Sequence, residues 1–267
     1  MPALELSSVN GKIRPTAEAT VPLKDDGLYR GDGAFEVIRL YAGAPFALAE
    51  HLDRLERSAT SLRLEFDRRT LETEIEALLG EFGAGEGQLR LIITRGGLRI
   101  AVTEPATGHA ESVALASITY TPTVILNGVK SLSYAANMQA TRLAKEAGAD
   151  EAVLVTPGGD ILEAPTSTLF WVSGGALRTT RVGAGVLDSI TRNRVMAALE
   201  VEEGHWPLED LRGASEAFLA STVREVQPVS SLDGAAFPAV PGPRTEEAER
   251  AFAAVIEREM GVGGGLG

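Results

Sequence analysis

The sequence predicts a two-domain protein of the α/β (α+β) class, and three observations support this prediction. The chain has 267 residues and is 44% hydrophobic, enough to bury one large core or two moderate ones. Segments with the composition of strands alternate along the chain with segments whose apolar residues recur at helical spacing. A proline in the segment 120–123 limits strand pairing and marks a hinge. We therefore expect a smaller N-terminal domain over 1–121 and a larger C-terminal domain over 122–267.

The elements of the first domain follow from composition and from start and stop signals. Strands are predicted over 34–41, 89–94 and 112–120, and helices from residue 49 and over 69–82. The strand at 34 is rich in β-branched and aromatic residues and follows a Gly-Asp-Gly turn. Asp67 can cap the start of the second helix, and Gly83 can end it.

The second domain is predicted to continue the mixture of helices and strands. Helices are expected over 137–147, 191–203 and 244–260, and strands over 151–155, 168–172 and 217–220. Gly148 ends the first of these helices, and Pro157-Gly158-Gly159 form a turn between two strands.

Composition excludes several classes of function. The formal net charge of -12 argues against a non-specific nucleic-acid surface, which needs an excess of Lys and Arg. With no cysteine and only three scattered histidines, we expect no disulfide, no thiolate nucleophile and no metal site. The chain has no apolar run of about 18 residues and its first residues lack the pattern of a signal peptide. We therefore expect a cytoplasmic protein without a membrane partner.

Lysine is scarce, and one lysine has an unusual setting. Of the 25 basic residues, the lysines are Lys12, Lys24, Lys130 and Lys145. Lys130 lies among apolar neighbours, and the carboxylate of Glu163 follows it in a predicted strand, helix, strand frame. Unlike an arginine, a lysine amine can lose its proton in a dry pocket and attack a carbonyl carbon. Lys130 is thus a candidate for a Schiff base, and the alternative is a surface lysine at the end of a strand.

Seven motifs, in order between about residues 27 and 232, resemble those of the class IV aminotransferases. They are Gly31-Asp32-Gly33-Ala34-Phe35-Glu36, His51-Leu52-Asp53-Arg54-Leu55, Lys130-Ser131-Leu132, Gly148-Ala149-Asp150-Glu151-Ala152, Glu163 with Ser167 and Phe170, Ile190-Thr191-Arg192, and Ser221-Thr222 with Glu225-Val226 and Pro228-Val229. This family includes branched-chain and D-amino acid aminotransferases, (R)-amine transaminases and aminodeoxychorismate lyase. The resemblance implies fold type IV, with pyridoxal 5'-phosphate at the interface of two α/β domains, the larger C-terminal one binding the cofactor. It also implies a homodimer whose neighbouring subunit helps to close the active site.

The resemblance implies roles for the residues that bind the cofactor. Lys130 would form the Schiff base and move the proton at the substrate's Cα, and Glu163 would pair with the pyridine nitrogen. The remaining cofactor-binding residues expected from the motifs are Arg54, Ile190, Thr191, Ser221 and Thr222 at the phosphate, together with Ser167 and, at the phenolic oxygen, Tyr134.

Each of these roles has a plainer alternative. Glu163 could stand at the solvent end of a strand, and Tyr134 could pack a domain interface. Arg54 could be an exposed helix arginine that pairs with Asp53 or Glu50. The family usually has glycine before the Ile-Thr pair, whereas here Ser189 precedes it, so the local backbone could differ.

Candidate substrate-binding residues come from two segments. Phe35, Val37 and Arg39 share one face of a strand, and Phe35 and Val37 are expected to line the substrate pocket. Branched-chain enzymes of the family generally carry glycine where Val37 stands and the lyase commonly carries threonine, so valine resembles the D-amino acid aminotransferases. Arg95 and Arg99 would bind a substrate carboxylate, or would pair with surface acids such as Glu86 and Glu104.

The function expected from this resemblance is transamination between an amino acid or amine, with a D-amino acid or (R)-amine favoured, and a 2-oxo acid. Two half-reactions imply ping-pong kinetics. Aminodeoxychorismate lyase, which forms 4-aminobenzoate and pyruvate, and a branched-chain aminotransferase are the alternatives. A protein that binds the cofactor without turnover belongs to a different class, and the presence of both Lys130 and Glu163 argues against it.

Overall fold

The computed structural model describes residues 5–106 and 108–261. The first four residues, which enter the expectation about a signal peptide, lie outside this part of the chain. The chain divides into two compact units: the first comprises the described residues of 1–108, 129–134 and 256–267, and the second 109–128 and 135–255. Each unit combines helices with one β-sheet, which confirms the predicted mixed α/β class. The segment 129–134, which carries Lys130, belongs to the first unit. The division into domains at 121/122, with the cofactor at their interface, stays a prediction.

The first unit contains an antiparallel sheet in the strand order β2-β1-β6-β5-β3-β4. Its elements are β1 Leu6–Val9, β2 Lys12–Pro15, a 3-10 turn Thr16–Glu18, α1 Asp26–Arg30, β3 Gly33–Tyr41, β4 Ala44–Pro45, α2 Leu48–Leu62, α3 Arg68–Phe82, β5 Gly87–Thr94 and β6 Arg99–Pro105.

The core of the first unit lies where α2 and α3 meet the sheet. Ile38 and Leu40 of β3 are fully buried and belong to one cluster with Leu52 and Leu55 of α2. Each such side chain contributes roughly 1.5–3 kcal/mol by leaving water. The cap predicted for α3 is confirmed, because the Asp67 carboxylate accepts a hydrogen bond from a backbone amide in the first turn. This packing fixes one face of β3 against α2 and leaves the opposite face for other contacts.

The second unit contains a mixed sheet in the order β11-β10-β9-β12-β13-β7-β8, with β14 paired to β13. Its elements are β7 Val113–Thr119, a 3-10 turn Val124–Leu126, α4 Ala135–Glu146, β8 Glu151–Val155, β9 Thr168–Ser173, β10 Ala176–Thr180, α5 Ile190–Ala198, β11 Glu202–Gly204, α6 Leu208–Arg212, β12 Glu216–Ser221, β13 Glu225–Leu232, β14 Ala235–Ala236 and α7 Pro243–Met260, whose residues from Ile256 onward count with the first unit.

The helix predicted over 191–203 is too long. Helix α5 ends at Ala198, and Leu199 takes an extended conformation with φ -129° and ψ 152°. The chain then enters β11, which pairs in parallel with β10. Leu199 and Val201 pack against the cluster of buried residues around Phe170. Burial of these apolar residues and pairing with β10 therefore override the helical preference of the local sequence.

The strand, helix, strand frame predicted for Lys130 and Glu163 is wrong at both residues. Around Lys130 the sheet pairing consists of a single antiparallel bridge between Ser131 and Ala34. Glu163 lies between two isolated bridges, one closed by Ile161 and one by Ala164. Neither residue belongs to a strand ladder, so contacts beyond regular pairing hold both in place. Among the helices of the described ranges, none has the length and apolarity to cross a bilayer.

Candidate active site

Backbone hydrogen bonds fix the segment that carries Lys130. The amide of Phe35 in β3 donates to the Lys130 carbonyl at 3.1 Å, and the amide of Leu132 donates to the Gly33 carbonyl at 2.9 Å. From the other side, the Lys130 amide donates to the Ser58 hydroxyl of α2 at 3.2 Å. The main chain of Lys130 is thus held by both β3 and α2.

Gly33 allows the lysine segment to approach the sheet closely. A Cβ atom at this position would lie 2.4 Å from the carbonyl oxygen of Ile93 and 2.6 Å from a methyl group of Leu132. Both distances are far below van der Waals contact, so any side chain here would push the segment or β5 away. Close packing of the lysine segment on β3 and β5 therefore explains the second glycine of the Gly-Asp-Gly motif.

The Lys130 amine lies against two aromatic rings. Its Nζ is 4.4 Å from the centroid of the Phe35 ring and 6.0 Å from that of Tyr134. The two rings meet edge to face, with centroids 5.3 Å apart. The face of an aromatic ring attracts a cation, and the rings also shield one side of the amine from water. Lys130 itself is half-buried, so its side chain is not the freely exposed lysine of the alternative interpretation.

Glu36, His51 and Arg54 form a buried charged cluster in the first unit. The Arg54 Nε and Nη2 groups donate to the two Glu36 carboxylate oxygens, each at 2.7 Å. His51 Nδ1 lies 2.8 Å from Glu36 Oε2 and donates to it, since an ionised carboxylate only accepts. Glu36 and His51 are fully buried and Arg54 is 6% exposed. The interpretation of Arg54 as an exposed helix arginine is therefore wrong.

Burial and charge act against each other in this cluster. Burial alone would raise the pKa of Glu36, but the Arg54 guanidinium and the hydrogen bonds from Arg54 and His51 bring it down to about 2. Burial lowers the pKa of His51, although the Glu36 carboxylate partly opposes this. At neutral pH the cluster is thus an ionised Glu–Arg pair with a neutral imidazole.

Glu163 of the second unit is fixed at both its backbone and its side chain. Its carbonyl accepts from the Leu154 amide at 2.9 Å, and its Oε1 accepts from the Leu187 amide at 3.0 Å. Burial and the negative charge of Glu163 raise the pKa of Tyr120. The Tyr120 hydroxyl donates to Asn137 Oδ1 at 3.5 Å. Glu163 is half-buried in this polar group, not at the solvent end of a strand.

The N-terminus of α5 provides backbone amides and one buried hydroxyl. Ser189 caps the helix, with its hydroxyl accepting from the Arg192 amide at 3.3 Å. Its φ of -82° is open to any residue, so the serine in place of the family's glycine causes no backbone strain. Thr191 is fully buried, and its hydroxyl oxygen lies 3.5 Å from that of Thr222. Such a helix start favours an anion.

A second feature of this unit fits a bound polar group. The hydroxyl oxygen of Ser167 is buried and has no hydrogen-bond partner among the described residues, and the same holds for Thr168. An unpaired buried hydroxyl costs about 1–3 kcal/mol, so such atoms need an explanation. The Ser221 hydroxyl accepts from the Arg224 amide at 3.3 Å. The predicted residue Ser167 therefore fits a ligand that carries a hydrogen-bonding oxygen.

The predicted substrate residues of β3 share a face, and one of them, Arg39, already has hydrogen-bond partners within the protein. Phe35 is buried, and Val37 and Arg39 are half-buried. The Arg39 guanidinium donates to Glu86 at 2.7 Å and to the Gly87 carbonyl at 2.9 Å. Phe35 and Val37 thus provide an apolar patch at the Lys130 end of the strand.

Arg95 and Arg99 also have carboxylate partners. Arg95 pairs with Asp32 at 3.0 Å, and Arg99 pairs with Glu74 at 2.7 Å. The suggested partners Glu86 and Glu104 are wrong, because Glu86 pairs with Arg39 and Glu104 pairs with Arg90. A substrate carboxylate at either arginine would have to compete with these acids.

Several residues that hold the site have no role predicted from the sequence. Glu36, His51, Ser58, Tyr120 and Asn137 all contact a candidate residue or its partners. On α2 a signal was available, since His51, Arg54 and Ser58 recur at helical spacing on the face that carries the buried leucines. Polar residues on a buried face need partners, and this is a signal of a built site.

Comparisons with known proteins agree with this arrangement. The family described as amino-transferase class IV matches residues 33–232. A relative from Methanocaldococcus jannaschii that carries the name of a branched-chain-amino-acid aminotransferase is 34% identical over 85% of this chain and 87% of its own. A D-alanine aminotransferase from Bacillus licheniformis is 31% identical over 91% and 94% of the two chains. An aminodeoxychorismate lyase from Bacillus subtilis is 28% identical over 94% of each.

A solved structure supports the same assignment. The fold IV-transaminase from Curtobacterium pusillum superposes with a TM-score of 0.84 at 26% identity, over 93% of this chain and 99% of its own. The predicted family and fold type are therefore confirmed, as is the predicted cofactor, since class IV aminotransferases use pyridoxal 5'-phosphate. The chain belongs to the class IV aminotransferases and is an enzyme of that class.

Proposed function

We propose that this enzyme transfers an amino group between a D-amino acid or (R)-amine and a 2-oxo acid by a ping-pong mechanism that depends on Lys130. One observation carries the substrate class: the Lys130 amine lies 4.4 Å from the Phe35 ring, on the strand face that Phe35 shares with Val37. Val37 is the next residue on that face, so we infer that its side chain lies beside a substrate that reaches this amine. The resemblance of Val37 to the D-amino acid enzymes supports the proposal, as does the relative that is named a D-alanine aminotransferase.

The roles proposed for the chain's residues follow from their positions. When bound, pyridoxal phosphate supplies a carbonyl carbon for an amine and a ring that takes up the electrons of a broken C–H bond. Lys130 binds that carbon and afterwards moves the proton at the substrate's Cα. Glu163 keeps a proton on the ring nitrogen. The rings of Phe35 and Tyr134 shield one side of the Lys130 amine from water.

Arg54 and the start of α5 are proposed to bind the phosphate. The α5 terminus offers backbone amides and the Thr191 hydroxyl, and Thr222 lies beside that hydroxyl. Ser167 has a buried hydroxyl that a bound oxygen would satisfy. In the first unit, the residue proposed to bind the phosphate is Arg54, whose guanidinium is oriented by Glu36. Ile190 and Ser221 complete the set of residues assigned to the phosphate.

Half-reaction spectroscopy with the purified holoenzyme tests the proposal. D-alanine or (R)-1-phenylethylamine should bleach the visible absorbance of the cofactor, and a 2-oxo acid should restore it. L-leucine should react at least ten times more slowly. A faster reaction with L-leucine would favour a branched-chain aminotransferase, and pyruvate release from aminodeoxychorismate without a 2-oxo acid would favour the lyase.

Two lysine variants separate the role of Lys130 from a general effect of lost charge. Lys130→Ala should abolish both the characteristic absorbance and turnover. Lys145→Ala removes the same charge from the exposed face of α4 and should leave both unchanged. Turnover by the Lys130→Ala enzyme would end the assignment.

The homodimer and the cytoplasmic location belong to the same proposal. Leu23, Leu28 and Tyr29 of the first unit are more than half exposed, and such apolar side chains favour a protein partner. Sedimentation velocity of the holoenzyme should show twice the mass of one chain. A monomer at micromolar concentration would contradict the dimer.

A further inference from the structure

Helix α2 presents three polar residues on the face that packs on β3. His51, Arg54 and Ser58 are spaced by three and four residues, so their side chains lie along one side of the helix. All three are buried. The Ser58 hydroxyl accepts a hydrogen bond from the Lys130 amide, whereas His51 and Arg54 both donate hydrogen bonds to Glu36 of β3. One helix face therefore holds the lysine segment and the arginine assigned to the phosphate.

The Glu36 carboxylate fixes the plane of the Arg54 guanidinium. Its Oε1 accepts from Arg54 Nε and its Oε2 from Arg54 Nη2, which makes a two-point fork at 2.7 Å on each side. A bidentate pair of this kind determines the orientation of the guanidinium as well as its place. His51 binds the same Oε2 at 2.8 Å and so limits rotation of the carboxylate itself.

Stability alone does not account for this cluster. Moving a carboxylate and a guanidinium out of water costs several kcal/mol each, and well-packed apolar residues of similar volume are often as stable as a buried ion pair. The neighbouring positions of β3 and α2, Ile38, Leu52 and Leu55, are such apolar residues. A charged cluster among them is best explained by the orientation that it gives to Arg54.

We propose that Glu36 and His51 are positioning residues that hold the Arg54 guanidinium in the orientation that binds the phosphate of the cofactor. The inference rests on the role proposed above for Arg54. It assigns to the pair a selective effect: they strengthen binding of the phosphorylated cofactor and have little effect on the same molecule without its phosphate.

The test compares two ligands of the cofactor-free protein. Dissociation constants are measured for pyridoxal and for pyridoxal 5'-phosphate. The value for pyridoxal divided by the value for pyridoxal 5'-phosphate is the ratio that reports the contribution of the phosphate. Both ligands need folded protein, so a loss of stability affects both and leaves the ratio unchanged. Arg54→Ala should lower the ratio by about 10- to 100-fold, the value of one charge-assisted contact.

Glu36→Gln distinguishes orientation from neutralisation. The amide keeps the shape of the carboxylate but presents an N–H to an arginine N–H, which breaks one arm of the fork. If Glu36 positions Arg54, the ratio should fall by about 10-fold. If Glu36 merely neutralises Arg54, removing its charge should raise the ratio, because the arginine would attract phosphate more strongly. Glu56→Gln makes the same chemical change on the exposed face of α2 and should leave the ratio unchanged.

His51 provides a second, independent pair of variants. His51→Asn keeps a donor near the place of Nδ1 and should hold the ratio within about threefold of the unaltered protein, whereas His51→Leu removes the donor and should lower the ratio. A ratio that falls in Arg54→Ala and stays constant or rises in Glu36→Gln and His51→Leu would overturn the inference and leave the phosphate role of Arg54 standing. A ratio unchanged by Arg54→Ala would refute that role, and the inference with it.

Discussion

Replacement of Glu36 by glutamine should destabilise the fold in a way that depends on pH. The carboxylate has a pKa of about 2 in the folded protein against an ordinary 4.5, because the Arg54 and His51 contacts outweigh the effect of burial. Each pKa unit corresponds to about 1.4 kcal/mol, so the ionised form contributes about 3 kcal/mol to the free energy of unfolding. Glutamine resembles the protonated acid, and Glu36→Gln should therefore remove about this amount at pH 7.

The sign of the pH dependence follows from the lowered pKa. The stabilisation is present above pH 4.5, the ordinary value, and is lost as the pH falls toward 2, the folded value. The difference between the unaltered protein and Glu36→Gln should thus stay constant from pH 7 to pH 5 and narrow below pH 4.5. His51 acts in the same direction, because its lowered pKa makes the folded state lose stability as the pH falls below 6.5.

Urea unfolding of the cofactor-free protein, followed by circular dichroism, measures this difference. The matched control is Glu86→Gln, which removes a carboxylate whose side chain is 55% exposed and pairs with Arg39. An exposed pair contributes at most about 1 kcal/mol, so this variant should unfold close to the unaltered protein. Equal effects of the two substitutions, or a Glu36→Gln protein that is more stable, would refute the argument from burial.

Two further predictions concern stability, one in each unit. Asp210 accepts hydrogen bonds from the Trp171 indole at 2.7 Å and from the Ser173 hydroxyl at 2.8 Å, so Asp210→Asn should cost about 1–3 kcal/mol; an unchanged urea midpoint would contradict this. Asp67→Ala removes the cap that binds the Thr70 amide of α3 and should lower the melting temperature, whereas Asp67→Ser keeps a capping oxygen and should recover most of the loss; equal melting temperatures for the two variants would count against the cap.

The parts of the fold that the sequence predicts are those with local signals. Helix α3 has both a cap and a terminating glycine, and its predicted bounds agree with the structure to one residue. Strand β13 is not predicted from the sequence, because Pro228 argues against an inner strand. In the structure it lies between β12 and β7, and its register with β7 shifts after Val229. Strand β6, which begins at Arg99, has no counterpart among the predicted strands. It pairs with β1, which is distant in sequence, and with β5, from which a tight turn separates it. The composition of a short segment of sequence does not reveal such pairing.

For the site, the resemblance identifies the side chains that bind the cofactor but not the residues that hold those side chains in place. The motifs identify Lys130 and Glu163, although neither residue lies on the strand predicted for it. The role of Glu36 was not predicted, since an acid within an alternating strand normally marks the solvent face. It is fully buried because His51 and Arg54 of α2 supply partners for it. Such a contact depends on tertiary packing, which a single strand or helix does not encode.

The anchoring of residue 130 through main-chain atoms has a consequence for enzyme engineering. The hydrogen bonds that join this position to Phe35 and Ser58 involve its carbonyl and amide and not its amine. The chain should follow the same path whichever side chain is present, so substitutions there remove a chemical group without moving its surroundings. A small amine added to a truncated variant would then find a vacant space of the right shape, which makes this position suitable for chemical rescue.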